Sequence, residues 1–480
     1  MPTEDDRMGD VQMLSVNHYL AFGIIWFLLG GMLTTAHAQP NTSTPIETYM
    51  EHQVNRHSLP GVAVAAIQDG NVIHLAGYGD LTSDTPVYIA SLSKSFTALA
   101  VMQLVEAGQL DLDASVTTYL PGFTTADPAH TTQITLRNLL HHRSGLSETG
   151  YPVAERASGP SLAEQVAGLA NAQPIAEVDA AFYYFNQNYD VLGHVVEVVS
   201  GESYETYVTM HILQPLGMTD TRFSMPEPPT QGHVLPFGFP VPYREALADV
   251  PAASGGMVST ASDLAAYLRF HVTGEMAVLS PDLIRQMHTP PAGRTYAMGW
   301  YTLDLPDGTR VVTHGGDLTT FRADMVLMPE DNAAFAVLYN SNHIAAGPLV
   351  FQPIVAGLAD IIRGEAAQPS GIPGWLAGAT AFVAVAALVL LDLARLVYLP
   401  AWGRKNVHKA WWRLLPGFAL ELVPLVILLY FPTVMGWLSG RSFSLGVVFP
   451  LLPEPIILLI GGALLSIPIV VGRIVLLARH

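Results

Sequence analysis

The chain has 480 residues, a formal net charge of −18 and no cysteine; half of its residues are hydrophobic and only 13% are charged. The missing cysteine excludes disulfides, thiolate metal sites and cysteine nucleophiles, and an acidic balance without a basic stripe argues against a nucleic-acid partner. A mean hydropathy of +0.33 is too apolar for a wholly soluble chain, and the length suggests roughly two to four domains, so membrane spans are expected beside a globular part.

The first apolar run, Tyr19 to Leu33, is followed by Ala36-His37-Ala38, a small-residue cleavage pattern. Glu4, Asp5, Asp6 and Asp10 stand where a signal peptide has positive charge, and initiation at Met13 would remove them. Residues 1–38 are therefore expected to be a cleaved signal or an uncleaved anchor. Residues 39–365 alternate short β-branched runs with amphipathic stretches, an α/β mixture. Pro60 to Gly79 forms two strands around Asp69-Gly70, a strong hairpin signal. Ser91 to Ala107 is predicted as a helix, with Phe96, Ala100 and Leu104 four apart and Gly108 at the position after its end. Met325 to Met328 and Ala333 to Tyr339 are predicted as antiparallel strands joined at Pro329 to Asn332.

Residues 366–374 form a short Pro/Gly/Ser linker, and 375–480 hold three apolar runs: Trp375 to about Val397, Leu414 to about Met435, and Pro455 to about Leu477. Each reaches the ~20 residues needed to span a bilayer. Arg404, Lys405, Lys409 and Arg413 lie between the first two runs. The positive-inside rule then places that loop and the C-terminus in the cytoplasm and the middle domain outside it. Asp392 and Arg395, three apart, are expected to pair, and Glu421 is expected near the cytoplasmic interface.

Ser91-Leu92-Ser93-Lys94 is an SxxK motif at the start of the predicted helix. Residues three apart share a helix face, so the Ser91 hydroxyl and the Lys94 amine can meet. A lysine serves as base only when neutral, and burial in a dry cleft favours that form. The helix N-terminus offers N–H groups to a developing oxyanion. Tyr184-Phe185-Asn186 places a tyrosine that can relay a proton and an asparagine that can hold a substrate amide. His314-Gly315-Gly316, after the strand-like Arg310 to Thr313, allows close approach of a substrate backbone, and His314 could bind a carboxylate or stabilise negative charge. Taken singly, each motif has a plain structural explanation: a capping serine with a surface lysine, a core aromatic, a turn. The adjacent His141 and His142 point in different directions with no carboxylate at ligand spacing, so they are read as structural rather than metal-binding.

In this order the three motifs resemble the class C β-lactamase and penicillin-binding family of serine hydrolases, which includes D-alanyl-D-alanine carboxypeptidases, D-aminopeptidases and certain esterases. The resemblance runs from about Pro60 to Asn340. It takes in FTALAVMQLVEAGQLDLDASVTTYLPGF from Phe96, ITLRNLLHHRSGL from Ile134, GGMVSTASDLAAYL from Gly255 and YAMGW from Tyr296. It implies a β-lactamase/transpeptidase-like α+β fold, an antiparallel sheet flanked by helices, to which the hydropathy pattern adds a C-terminal bundle of three transmembrane helices. It also implies that Ser91 is acylated while Lys94 and Tyr184 exchange protons, that Asn186, His314, Gly316 and Asp317 contact substrate, and that the amides of Ser91 and Asp317 form the oxyanion hole. No metal or organic cofactor is implied. His314 stands where many members have lysine, a feature closer to the peptidase and esterase branches than to antibiotic-destroying ones. Asp317-Leu318-Thr319-Thr320 lacks the glycine usual before Phe321. The chain is thus expected to be an extracytoplasmic, membrane-anchored serine hydrolase acting on a small-molecule, peptide or β-lactam-like acyl donor. A penicillin-binding receptor and a non-catalytic scaffold are the alternatives.

Overall fold

The computed structural model describes residues 44–151, 161–223, 229–244, 250–274, 278–305, 308–343, 346–367, 372–439 and 445–479; the expected leader, 1–38, lies outside them. The elements that matter for the site are α1 (Pro45–His57), β1 (Gly61–Gln68), β2 (Asn71–Gly79), α2 (Ser93–Glu106), α3 (Asn186–Ser200), the two-residue strands β3 (His233–Val234) and β4 (Val241–Pro242), and α4 (Ala261–Thr273). They are followed by β5 (Tyr301–Asp304), β6 (Arg310–Asp317), β7 (Arg322–Met328), β8 (Ala333–Tyr339), the short β9 (Ser341–Asn342) and α5 (Gln352–Ile362). Three long helices close the chain: α6 (Gly374–Val397), α7 (Leu415–Ser439) and α8 (Pro453–Ala478).

Six strands form one antiparallel sheet in the order β2-β1-β8-β7-β6-β5. Its middle strands are apolar at nearly every position because both faces are covered, which overrides the polar-apolar alternation of a one-sided sheet. Ala63, Ala65 and Ile67 of β1 join Ala334, Ala336 and Leu338 of β8 in the larger core, with α2, α3 and α4. Val62, Val64 and Ala66 face the other way with Phe335, Val337 and Tyr339, into a smaller core closed by α1 and α5. Helix α2 is buried from Ser93 to Met102, so it runs through the domain interior rather than across its surface.

The Asp69-Gly70 hairpin and the strand pair joined at Pro329 to Asn332 are present. Two boundaries differ from expectation. The α-helix begins at Ser93, and Ser91 sits in a 3-10 turn, Ala90–Leu92, entered through the left-handed Ala90 at φ 49°. The strand predicted to end at Thr313 continues through His314, Gly315 and Gly316 to Asp317, because these residues pair with Arg322 to Met325 of β7. Among the described residues, three helices are long and apolar enough to cross a membrane: Gly378–Val397, Leu415–Gly436 and Pro453–Ala478. At one end of this bundle Asp392 pairs with Arg395 at 2.9 Å, and Glu421 meets Arg473 at 2.9 Å and Arg395 at 3.6 Å.

Burial sets the acid sensitivity of the domain. Loss of solvent pushes His57, His141 and His288 down to about 4, and drives His142 and His271 well below their ordinary range. These rings stay neutral in the folded state, while the unfolded chain takes up protons below pH ~6.5. Each therefore contributes stability that is fully present above pH ~6.5 and is lost as pH falls from there towards about 4, with a slope of up to ~1.4 kcal/mol per pH unit per ring. Thermal unfolding of the detergent-solubilised chain should show a flat midpoint from pH 7 to 8 and a steep decline between pH 6.5 and 4.5. A midpoint that holds down to pH 5 would contradict this account.

Candidate active site

The turn that carries Ser91 is shaped by its neighbours. Ser93 Oγ donates to the Ala90 carbonyl at 2.7 Å and accepts from Met257 N–H at 3.2 Å, tying the start of α2 to the segment after Gly256. Lys94, fully buried one helical turn along, donates through Nζ to Ser91 Oγ at 3.1 Å and to the Ser254 carbonyl at 2.5 Å. The Tyr184 and Tyr189 rings lie 4.9 and 5.8 Å from the same nitrogen. Gly299 packs on the other side of this turn: a Cβ there would stand 2.8 Å from the Lys94 carbonyl oxygen.

Tyr184 lies two residues before the first residue of α3, Asn186. A buried network fixes that approach. His142 Nδ1 accepts from Phe185 N–H at 3.3 Å and from the Asn188 amide at 3.2 Å, and Ser144 Oγ donates to Asn188 Oδ1 at 2.8 Å. With Nδ1 accepting, the His142 proton sits on Nε2, and the ring lies 4.4 Å from that of Tyr184. The Asn186 side-chain oxygen is buried without a protein partner, which leaves that acceptor free for a ligand.

His314 comes to the same cleft from the sheet. It is buried, its ring 6.3 Å from that of Tyr184; Nδ1–H donates to the Gly315 carbonyl at 2.7 Å and Nε2 accepts from the Tyr296 hydroxyl at 3.3 Å. Burial, reinforced by Lys94, pushes His314 down to about 3, so the ring is neutral at physiological pH. The expectation of a carboxylate bound by His314 needs an imidazolium, and this environment opposes one. Gly316 lies against the Ser91 turn: a Cβ there would stand 2.2 Å from the Ile89 carbonyl oxygen and 3.1 Å from Ser91 N. Asp317, half exposed, accepts from Arg322 at 2.7 Å and from the Asn342 amide at 3.2 Å. Arg322 also clasps the buried Asp324.

The structure thus brings Ser91, Lys94, Tyr184 and His314 together, with Gly316 against the Ser91 turn, Asp317 following it, and Asn186 opening the helix behind Tyr184. Two contributors are not assigned from the sequence, the Ser254 carbonyl and the Tyr296 hydroxyl, while His142, read there as structural, holds Phe185 and Asn188 in place. Their signals were the GGMVS, YAMGW and HHRSG stretches, which stand out in sequence without naming an atom.

A family profile described as Beta-lactamase matches residues 46–350. Penicillin-binding protein 4 of Amycolatopsis lactamdurans is 30% identical over 348 residues, 66% of this chain and 90% of its own length. Protein flp of Staphylococcus aureus (strain MW2) is 28% identical over 319 residues, 62% of this chain; the match spans 63% of that relative's length, just under two thirds. Among solved structures, the octameric penicillin-binding protein homologue from Pyrococcus abyssi is 26% identical with a TM-score of 0.58, covering 68% of this chain and 78% of that one. The D-amino acid amidase of Ochrobactrum anthropi SV3, solved with L-phenylalanine amide, is 25% identical with a TM-score of 0.52, covering 62% and 92%. The chain belongs to the β-lactamase family of serine hydrolases, whose fold it shares with penicillin-binding proteins.

The contact between Gly316 and the Ser91 turn gives a sharp test. Gly316→Ala must push that turn or the strand aside, and kcat/KM on any turned-over ester should fall by at least ~10²-fold, the scale of losing one oxyanion donor. Far-UV circular dichroism should be unchanged. Retained activity would show that the two segments can separate at no cost to catalysis.

Proposed function

We propose that this protein is a membrane-anchored serine hydrolase of the class C-like kind, which transfers an acyl group to Ser91 and then to water. The observation that carries the proposal is the buried Lys94 amine 3.1 Å from Ser91 Oγ with the Tyr184 ring against it. Lys94 takes the proton as Ser91 Oγ attacks the acyl carbon, and Tyr184 passes a proton to the leaving group. The amides of Ser91 and Asp317 hold the oxyanion, with Gly316 permitting their approach. Water then attacks the acyl-enzyme, with Lys94 and Tyr184 reversing their roles. Asn186 holds the substrate amide through its unpartnered side-chain oxygen, and neutral His314, bonded to Gly315 and Tyr296, lines the site as an uncharged ring.

The electrostatics favour a neutral ester or amide over a carboxylate-bearing β-lactam. His314 is uncharged, Arg322 is committed to Asp324 and Asp317, and Asp317 contributes a half-exposed negative charge beside the cleft. The basic loop from Arg404 to Arg413 supports an orientation in which the catalytic domain lies outside the cytoplasm.

Intact-protein mass spectrometry after exposure to a fluorophosphonate should find one adduct, mapped to Ser91 and missing from Ser91→Ala. Ser91→Ala and Lys94→Ala should each lower turnover by about 10³-fold or more, and the double variant should be little worse, because the two act as a unit. An adduct that persists in Ser91→Ala removes the mechanism; an adduct without turnover on any ester or amide would favour the receptor reading.

His314→Ala should lower kcat/KM equally for neutral substrates and their carboxylate-bearing analogues. Because the ring titrates at about 3, no imidazolium limb should appear between pH 5.5 and 8. A selective loss on carboxylates, with a limb near pH 6.5, would restore the cationic role.

A further inference from the structure

The segment Pro236 to Arg244 is bound to the apolar helices at one end and carries uncovered apolar side chains at the other. Phe237 adopts the left-handed conformation at φ 54° and turns its backbone onto α6. There Gly378 leaves so little room that a Cβ would stand 1.6 Å from the Phe237 carbonyl oxygen. The Phe237 ring packs edge-on against Phe382 at 6.0 Å. Gly378 is the first residue of the apolar stretch Gly378–Val397, and Phe382 lies one turn deeper, about 6 Å along the axis. On its other side Phe237 N–H donates to Glu454 Oε1 at 2.6 Å, while Glu454 Oε2 pairs with His343 Nε2 at 2.9 Å. Glu454 is the second residue of α8, so two helices measure the same depth for this turn.

Immediately beyond it, Phe239, Val241 and Tyr243 are 61%, 43% and 40% exposed, and Arg244 beside them is exposed too. An apolar hairpin capped by a tyrosine and an arginine, level with the first turns of α6 and α8, matches the composition of a membrane interface, where aromatic rings and long cationic side chains settle among headgroups. We infer that the hairpin Pro236 to Tyr243 is seated in the headgroup and upper acyl region of the bilayer, with Phe239, Val241 and Tyr243 against lipid. The inference rests on reading α6, α7 and α8 as membrane spans.

The seat has a consequence for the active site. The same segment begins with β3, which pairs in parallel with β9 through His233↔Ser341 and Val234↔Asn342. Asn342 donates to the Leu318 carbonyl at 2.7 Å and to Asp317 Oδ1 at 3.2 Å. The turn that follows Gly316 is thus held by a strand whose neighbour, β3, leads directly into the seated hairpin.

Because the chain has no cysteine, single-cysteine variants report cleanly. Phe239→Cys, Val241→Cys, the mid-helix Leu390→Cys and the exposed Gln109→Cys are labelled with an environment-sensitive nitrobenzoxadiazole in the full chain, in nanodiscs carrying nitroxide lipids. Labels on Phe239→Cys and Val241→Cys should emit to the blue of Gln109→Cys and be quenched by shallow nitroxides at least about twofold more strongly. Leu390→Cys should respond to deep nitroxides. If the two hairpin labels behave as Gln109→Cys does while Leu390→Cys is quenched, the hairpin seat is wrong and the membrane reading stands. If Leu390→Cys is also unquenched, the membrane reading itself fails. Fluorophosphonate labelling of each variant confirms that the domain is folded.

Discussion

The site depends on one steric constraint, the contact of β6 with the Ser91 turn at Gly316. A strand edge and a helix entry each carry backbone amides, and bringing the two within 3.1 Å of a missing Cβ requires that no side chain stand between them. The left-handed Ala90 supplies the matching bend on the helix side, a conformation that costs a non-glycine residue roughly 1 kcal/mol or more and persists only where the surroundings over-determine it. Here the surroundings are the Ser93 hydroxyl, bonded to both Ala90 and Met257, and the sheet on which α2 rests. Removing the contact would leave Ser91 and Lys94 adjacent, since that pairing is local, but it would separate the Ser91 turn from the strand that carries His314 and Asp317.

The second organising feature is dryness. Tyr184, Tyr189, Tyr296 and His142 surround the Lys94 amine and the His314 ring with aromatic surface, and burial is the largest influence on His142, His314, Tyr189 and Tyr296 alike. In such surroundings hydrogen bonds and charges act at low effective dielectric, so one amine can influence a hydroxyl, two rings and a carbonyl together. The same dryness removes charge from His314 on β6, so it brings an uncharged ring rather than a cation to this position.

How much of this was legible in the sequence follows from the range of each interaction. The Asp69-Gly70 hairpin, the Ser91–Lys94 spacing, the three apolar helices and the Asp392–Arg395 pair depend on residues within a few positions of each other, and local periodicity displays them. The helix start slipped by two residues because the bend at Ala90 is imposed by Met257 and Gly316, far along the chain. The strand beyond Thr313 was missed because glycines weaken a strand signal, while pairing with Arg322 to Met325 supplies what propensity lacks. The Ser254 carbonyl and the contact of Glu454 with His343 could not be read at all: the first is a backbone atom without a sequence signature, and the second joins residues 111 apart.

The charges of the apolar helices divide by position into two kinds of work. At the ends shared by the C-termini of α6 and α8 and the N-terminus of α7, two acids and two arginines, Asp392, Arg395, Glu421 and Arg473, form a set with no net charge that joins all three helices. A neutral, mutually paired set is what an apolar environment tolerates, and its partners are all within the bundle, so its effect is to hold the helices together. Glu454 lies at the opposite end of α8; among the described residues its carboxylate is satisfied by His343 and by the Phe237 amide of the β-lactamase-family domain. A bundle needs only the first set to persist. The second contact instead fixes the domain against the helices, so the Asp317 to Asn342 contact is coupled to the position of α8.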